Sequence, residues 1–339
     1  MTSSSDRPLL RVENLRTVFP LADGREAAAV DGISFSIGRG ETLGLVGESG
    51  SGKSVAALSI MRLVLPPGRI AAGRVELDGR NLLDLAEPEM RRVRGRRIGF
   101  VFQEPMVALN PVYTIGYQIA ETLKVHGLAR GDNARRRALE LLQAVRIPDP
   151  ERRAREYPHQ MSGGLRQRAM IALAIAAEPE LLIADEPTTA LDVTVQAEIL
   201  DLLREMRRAF SLSLLLITHD LAVVAEMADR VAVMYTGRIV EKARADVLFA
   251  DPAHPYTRGL LTSIPSGESG ARLQAIPGNV PGLGQAPAGC AFAPRCRERF
   301  DPCTTTRPEL IPVGLDHTAC CLLHDPAHAL RATATEGRR

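Results

Sequence analysis

The segment GESGSGKS, Gly47 to Ser54, restricts this chain more than any other. It fits the spacing G-x-x-x-x-G-K-[ST] and follows a short apolar run, Thr42–Val46, that reads as a buried strand. An apolar, helix-spaced stretch runs from Lys53 to Leu65 and stops at Pro66-Pro67-Gly68. A strand that enters a glycine-rich turn and leaves it as a helix is a cradle for phosphate. Gly47, Gly50 and Gly52 let the backbone around Ser49 curl until successive N–H groups face one anion, and the helix adds its positive end. In such a cradle the Lys53 ammonium reaches the β- and γ-phosphates and the Ser54 hydroxyl binds Mg²⁺. Only three lysines occur, Lys53, Lys124 and Lys242, against a background of arginine, so a lysine at this point reads as a specific need.

The second signal is LLIADEP, residues 181–187. Four apolar residues form a strand, and two carboxylates emerge at its end, where open α/β sheets bind their ligands. There Asp185 would hold the Mg²⁺ shell, and Glu186 would orient or deprotonate the attacking water. Strand patterns at 9–19, 31–37, 74–77, 98–102, 212–218 and 230–235 alternate with helical ones at 115–147, 163–177, 193–209 and 220–227. That alternation predicts an α/β core with a largely parallel sheet, and the early alternating strands predict an added antiparallel layer.

Between and beyond these segments lie MSGGLRQR (161–168), Gln103 in VFQEP, TTALD (188–192) and His219 in ITHD. Over roughly residues 9–250 their order and spacing resemble the ABC ATPases, which implies a P-loop NTPase of the ABC type. Gln103 resembles the Q-loop residue that touches Mg²⁺ or the lytic water. Ser162, Gly163 and Gly164 resemble the signature that meets the γ-phosphate held by an opposite subunit, and a Ser hydroxyl with Gly amides at a helix start suits an anion. Asp192 resembles the D-loop aspartate and His219 the switch histidine. Leu165 stands where the signature usually has Gln, a departure that touches a ribose contact and no catalytic group. Phe19 resembles the aromatic on which adenine stacks; a plain core role is the alternative.

After about residue 250 proline and glycine become dense, which sets the expected boundary between an ATPase domain, 1–250, and a loop-rich accessory region, 251–339; a helical subdomain is expected at about 104–178. HPYTRGLL (254–261), IPGNVP (276–281), CAFAPRC (290–296) and EPMVALNP (104–111) resemble the oligopeptide/dipeptide importer ATPases. All five Cys fall between Cys290 and Cys321. In a chain expected to stay in the cytoplasm, clustered thiols read as a metal site. Cys290, Cys296, Cys303 and Cys320 are expected to hold a four-iron four-sulfur cluster, which the resemblance also implies; Zn²⁺, and free buried thiols, are the alternatives. Cys320 is taken over Cys321 on family position.

Net charge is +2 and aromatics make up 4%, so neither a basic footprint nor a base-stacking platform for nucleic acid is expected. No N-K-x-D guanine-reading motif is present. No apolar run is long enough to span a bilayer and no secretory start is visible, so spanning falls to partners. The resemblance therefore implies an ATP-hydrolysing subunit on the cytoplasmic face of the membrane, energising import of peptides. A second ATPase subunit (a paralogue or a second copy), two permease subunits and an extracytoplasmic binding protein complete the expected assembly. Import of nickel or a glutathione-like peptide is the alternative, and a soluble ABC ATPase outside transport the remote one.

Overall fold

The computed structural model describes residues 7–189, 191–263 and 275–328. In chain order it forms β1 (Leu10–Pro20), β2 (Glu26–Ile37), β3 (Thr42–Val46), α1 (Lys53–Ile60), β4 (Arg69–Leu77), β5 (Arg80–Asn81), α2 (Glu87–Arg96) and β6 (Ile98–Val101). There follow α3 (Pro105–Ala108), α4 (Ile115–Val125), α5 (Gly131–Ala144), α6 (Pro150–Arg153), α7 (Gly163–Ile175), β7 (Leu181–Asp185), α8 (Val193–Ala209), β8 (Ser213–Thr218), α9 (Leu221–Met227) and β9 (Arg230–Tyr235). The chain continues through β10 (Arg238–Arg244), α10 (Ala245–Ala250), α11 (Pro255–Thr262), α12 (Pro302–Thr305), β11 (Ile311–Gly314) and β12 (His317–Ala319).

These elements sort into two compact units. The first is built mainly from Leu77–Ile217 with Ile37–Thr42. Its sheet is parallel: β7 lies between β6 and β8, with Leu181 opposite both Ile98 and Ser213. All residues of β6, β7 and β8 are buried, as strands covered on both faces require, and their continuous apolar sequences follow from that. The helical segment packs α4, α5 and α7 on one another, with Ile115, Ile119, Leu123, Ala138, Leu141 and Leu142 buried.

The second unit comprises Arg11–Ser36, Leu43–Glu76 and the described residues from Thr218 on. Here the strand order is β11-β12-β10-β9-β3, parallel at β3–β9 and antiparallel elsewhere, with β2-β1-β4 as neighbours in another sheet. The core gathers Val46, Val231, Val233, Tyr235, Leu248, Tyr256 and Phe292, so residues near the chain's end bury against the strand that feeds the glycine loop. Buried Glu241 ties this region together. Its carboxylate accepts from the amides of Ala253 (2.7 Å) and His254 (2.9 Å) and pairs with His317 Nε2 at 2.7 Å.

Sequence periodicity carries α1 to Leu65, whereas the helix ends at Ile60. Arg62 turns left-handed (φ 52) and the Leu63 amide reaches back to Leu58 O at 2.8 Å. That bond closes the helix end before the prolines are reached. β10, β11 and β12 had no counterpart in the sequence reading.

Candidate nucleotide site

The phosphate-loop group belongs to the second unit. β3 delivers the chain to Gly47, where an added Cβ would stand 2.2 Å from Met234 O. At Gly52 (φ +101) a Cβ would stand 2.2 Å from Ala29 O. Neither position admits a side chain, so the loop's path depends on glycine at both. Gly52 is also the N-cap of α1, and Lys53 opens the helix with only 4% of its surface exposed. Lys53 Nζ donates to Gly47 O at 2.7 Å and Glu48 O at 3.0 Å, which holds the ammonium against the curl of the loop. Ser51 braces the loop twice, its amide donating to Glu48 O and its carbonyl accepting from the Gly237 amide. Ser49 and Gly50 are exposed on the loop's crest, with Ser54 in the first turn of α1.

His219, just past the end of β8 along the chain, belongs to the same unit as the phosphate loop and is exposed. Its neighbour Asp220 caps α9, accepting from the amides of Ala222 (2.9 Å) and Val223 (3.4 Å), so the His219 turn is fixed by a cap. Phe19, half-buried, lays its ring against Gly68, where a Cβ would stand 2.4 Å from the ring.

The carboxylate group belongs to the first unit. β6 and β7 run parallel with Val101 opposite Ala184, so the residues just past each strand leave the sheet at one edge. Gln103 and Glu186 meet there: Gln103 Nε2 donates to Glu186 Oε2 at 3.5 Å, and Thr189 Oγ1 donates to the same oxygen at 2.8 Å. Glu186 adopts φ 46 while its amide donates to Ile217 O at 2.8 Å. Asp185, 5% exposed, ends β7.

Ser162 caps α7 through Leu165 N (3.4 Å), and Asp192 caps α8 through Val195 N (3.0 Å). These two helix starts touch: a Cβ on Gly164 would stand 2.9 Å from Val195 Cγ1, and one on Gly163 would stand 3.7 Å from Leu191 Cδ2. Gln167, which sequence reasoning passed over, donates to Pro187 O at 2.6 Å and links α7 to the turn bearing Glu186. Of the TTALD loop, Ala190 lies outside the described residues.

Residues 30–189 match the ABC transporter family and residues 240–303 the oligopeptide/dipeptide transporter C-terminal region. The chain is 51% identical over 320 residues to the oligopeptide transport ATP-binding protein AppD of Bacillus subtilis, covering 94% of this chain and 97% of that protein. It is 52% identical over 317 residues to the probable peptide ABC transporter ATP-binding protein y4tR of Sinorhizobium fredii, covering 92% and 94%. The chain belongs to the ATP-binding subunits of the oligopeptide/dipeptide ABC importer family.

Among solved structures, the ABC cassette MJ0796 in a dimeric post-hydrolysis state with ADP and Pi matches at a TM-score of 0.63 and 29% identity, covering 70% of this chain and 98% of that one. The cbiO1 protein of Clostridium perfringens, part of the ABC transporter complex cbiONQ, matches at 0.61 and 29%, covering 73% and 92%. This importer-family subunit therefore binds ATP with Mg²⁺ and hydrolyses it. No helix among the described residues is long and apolar enough to cross a membrane.

The cysteines of the importer-family C-terminal region lie in one neighbourhood. The Cys290 amide donates to Cys303 O at 2.9 Å, which folds that segment back on itself. Cys320 and Cys321 follow β12 in succession, and both are buried. Cys320 Sγ donates to Pro308 O at 3.1 Å. Cys320 also lies near Cys290 and packs with Cys290 and Cys296, and Cys321 shares its surroundings with Cys290, Cys296 and Cys303. Burial pushes Cys296 and Cys320 up to about 11 and Cys321 up to about 12. Backbone amides of Phe292 and Ala293 act on the Cys290 sulfur, that of Glu298 on Cys296 and that of Leu323 on Cys321. Among the described residues no three Cys, His, Asp or Glu side chains gather closely enough to hold a metal ion, so neither the iron–sulfur expectation nor the zinc alternative gains support there.

Sequence reasoning also passed over Glu48 and over Tyr256 and Arg295, each of which bonds Glu48 in the second unit. The signal was present: all three sit inside segments quoted for other reasons, GESGSGKS, HPYTRGLL and CAFAPRC.

Proposed function

We propose that this chain powers peptide import, coupling ATP hydrolysis to the movement of two permease subunits that receive peptide from an extracytoplasmic binding protein. The observation that carries the reading is the pairing of a complete set of ATPase motifs with a C-terminal region matching oligopeptide/dipeptide transporters, in relatives whose names specify peptide transport. In this reading Gly47, Ser49, Gly50, Gly52, Lys53 and Ser54 grip the triphosphate, Phe19 takes the adenine, and Ser54, Gln103 and Asp185 hold Mg²⁺. Glu186 takes the proton of the attacking water, its carboxylate aimed by Thr189 and Gln103. His219 senses the γ-phosphate. Ser162, Gly163, Gly164 and Asp192 serve the site of a second ATPase subunit, paralogous or identical. Exposed Val107 (69%), Val112 (68%), Tyr113 and Tyr117 around α3 and α4 support permease docking on the cytoplasmic face. The division into an ATPase domain, 1–250, and an accessory region, 251–339, belongs to the same proposal.

Reconstitution with its permease subunits in lipid vesicles tests the function. ATP-dependent uptake of labelled oligopeptide is expected, and loss of that uptake in Glu186→Gln. ATP-driven uptake of nickel without peptide would transfer the role to the alternative cargo.

For the cysteines, the proposed occupant is a four-iron four-sulfur cluster on Cys290, Cys296, Cys303 and Cys321. Amides directed at three of these sulfurs support the assignment, since such hydrogen bonds tune cluster thiolates. Anaerobically purified protein should carry about four iron atoms per chain. Cys321→Ser should lose them and Cys320→Ser should keep them; the reverse outcome restores Cys320 as the ligand, and iron-free protein sinks the cluster.

A further inference from the structure

We propose that Arg295 and Tyr256, both from the importer-specific C-terminal region, are positioning residues for the phosphate loop, holding it through Glu48 in the shape that receives the triphosphate. The inference rests on the reading of residues 47–54 as the ATP cradle.

Glu48 is the second residue of that loop, and a carboxylate there is a liability, because its charge opposes the arrival of another anion. The structure neutralises it at close range. Arg295 Nη1 donates to Glu48 Oε2 at 2.7 Å and Nη2 to Oε1 at 2.9 Å, the parallel two-bond geometry that matches guanidinium to carboxylate. Arg295 is itself immobilised. It is 6% exposed, its Nε donates to Pro277 O at 2.8 Å, and its Cζ lies 5.9 Å from the Tyr235 ring centre and 6.0 Å from that of Phe292. The bond to Glu48 holds the buried guanidinium more firmly protonated than usual.

Tyr256 holds the same loop residue by its backbone. Its buried hydroxyl accepts from the Glu48 amide at 2.9 Å. The Glu48 carbonyl meanwhile accepts from Lys53 Nζ and the Ser51 amide. Amide, carbonyl and carboxylate of one residue are thus fixed by different partners, two of which lie more than two hundred positions along the chain. A loop so held cannot flatten without breaking a two-bond ion pair whose guanidinium is buried, so the ordering that nucleotide binding would otherwise impose is already in place. Arg295 stands next to Cys296, so the cysteine-bearing segment bears directly on the ATP site.

The full-length chain is assayed for binding of a non-hydrolysable ATP analogue, for KM and kcat of ATP hydrolysis, and for thermal unfolding. Arg295→Lys keeps the charge but loses the fork. It is expected to weaken analogue binding and raise KM by about tenfold with kcat within about threefold. Glu48→Gln should do the same, and Arg295→Lys with Glu48→Gln should be no worse than either alone, because both remove one interaction. Tyr256→Phe, which deletes a single hydroxyl, guards against misfolding of the charge variants and should shift KM in the same direction. Unchanged analogue affinity and KM in all three single variants, with only the unfolding temperature lowered, would reduce the pair to a structural brace and overturn the proposal. Lys53→Ala separates the two readings. If it abolishes analogue binding while the clamp variants bind normally, the clamp alone fails; if it binds normally, the cradle reading fails and takes the clamp with it.

Discussion

Glu186 combines a left-handed backbone (φ 46) with a carboxylate that accepts from Thr189 and Gln103. Such a conformation costs of order 1 kcal/mol and persists where surrounding bonds enforce it, here the ladder bond to Ile217 O. Glu186→Gln keeps the shape and removes the base. Turnover should fall by at least about 100-fold with ATP binding retained, read by parallel rate and binding assays. His254 makes a second prediction. Burial, then the nearby Arg258 charge, lowers its pKa to about 3, so the folded protein keeps a neutral imidazole whose Nδ1 accepts from Tyr256 N at 3.0 Å. The unfolded chain binds that proton near the ordinary value of 6.5. Stability should therefore be complete above about pH 6.5 and fall as pH drops toward about 3, by up to about 1.4 kcal/mol per unit. His254→Asn keeps a cap without the titration, and should flatten that slope in chemical unfolding measured across the range. At this scale the sequence was legible where a conformation depends on local spacing, as in the helix that opens at Lys53 and the strand that ends at Asp185. It was silent where a contact depends on distant segments, as in the bonds from Tyr256 and Arg295 to Glu48.

Among elements, the buried strands announced themselves because β3, β7 and β8 carry unbroken apolar runs between their end residues, and only a strand covered on both faces needs that. The signature helix was legible through its Ser-Gly-Gly start, which caps α7 as expected. β10 and β12 were not, since one carries Glu241 and Lys242 and the other begins with a histidine, residues that look solvent-facing until they pair. Their pairing is what permits the charge: Glu241 is fully buried yet bonded to two amides and to His317. Glu241→Ala would leave those donors stranded. We expect a loss of about 3 kcal/mol or more in denaturant unfolding, with Glu241→Gln less severe.

At the scale of the whole molecule, the chain crosses between its two compact units repeatedly, and the chemistry is divided with it. The unit containing Leu43–Glu76 carries the phosphate loop and His219, and the unit containing Leu77–Ile217 carries Gln103, Asp185 and Glu186. Motif order along the sequence could not disclose that division, because it depends on which segments share a core. Nor could it disclose that the described residues from Thr218 on, which include those of the importer-type region 240–303, lie in one unit with the phosphate loop. A chain cut after Ala250 therefore loses Tyr256 and Arg295 along with the cysteines, and should bind ATP about tenfold more weakly than the full chain in the same titration. The cut has a further effect through β12, which pairs Ala319 with Glu241 and Thr318 with Lys242 along the outer side of β10. Stripped of that cover, β10 becomes an open rim with peptide groups in search of partners, and a neighbouring molecule presents the same rim. The short terminal strand thus guards against runaway self-association, and the severed cassette should self-associate more readily than the full chain as its concentration is raised.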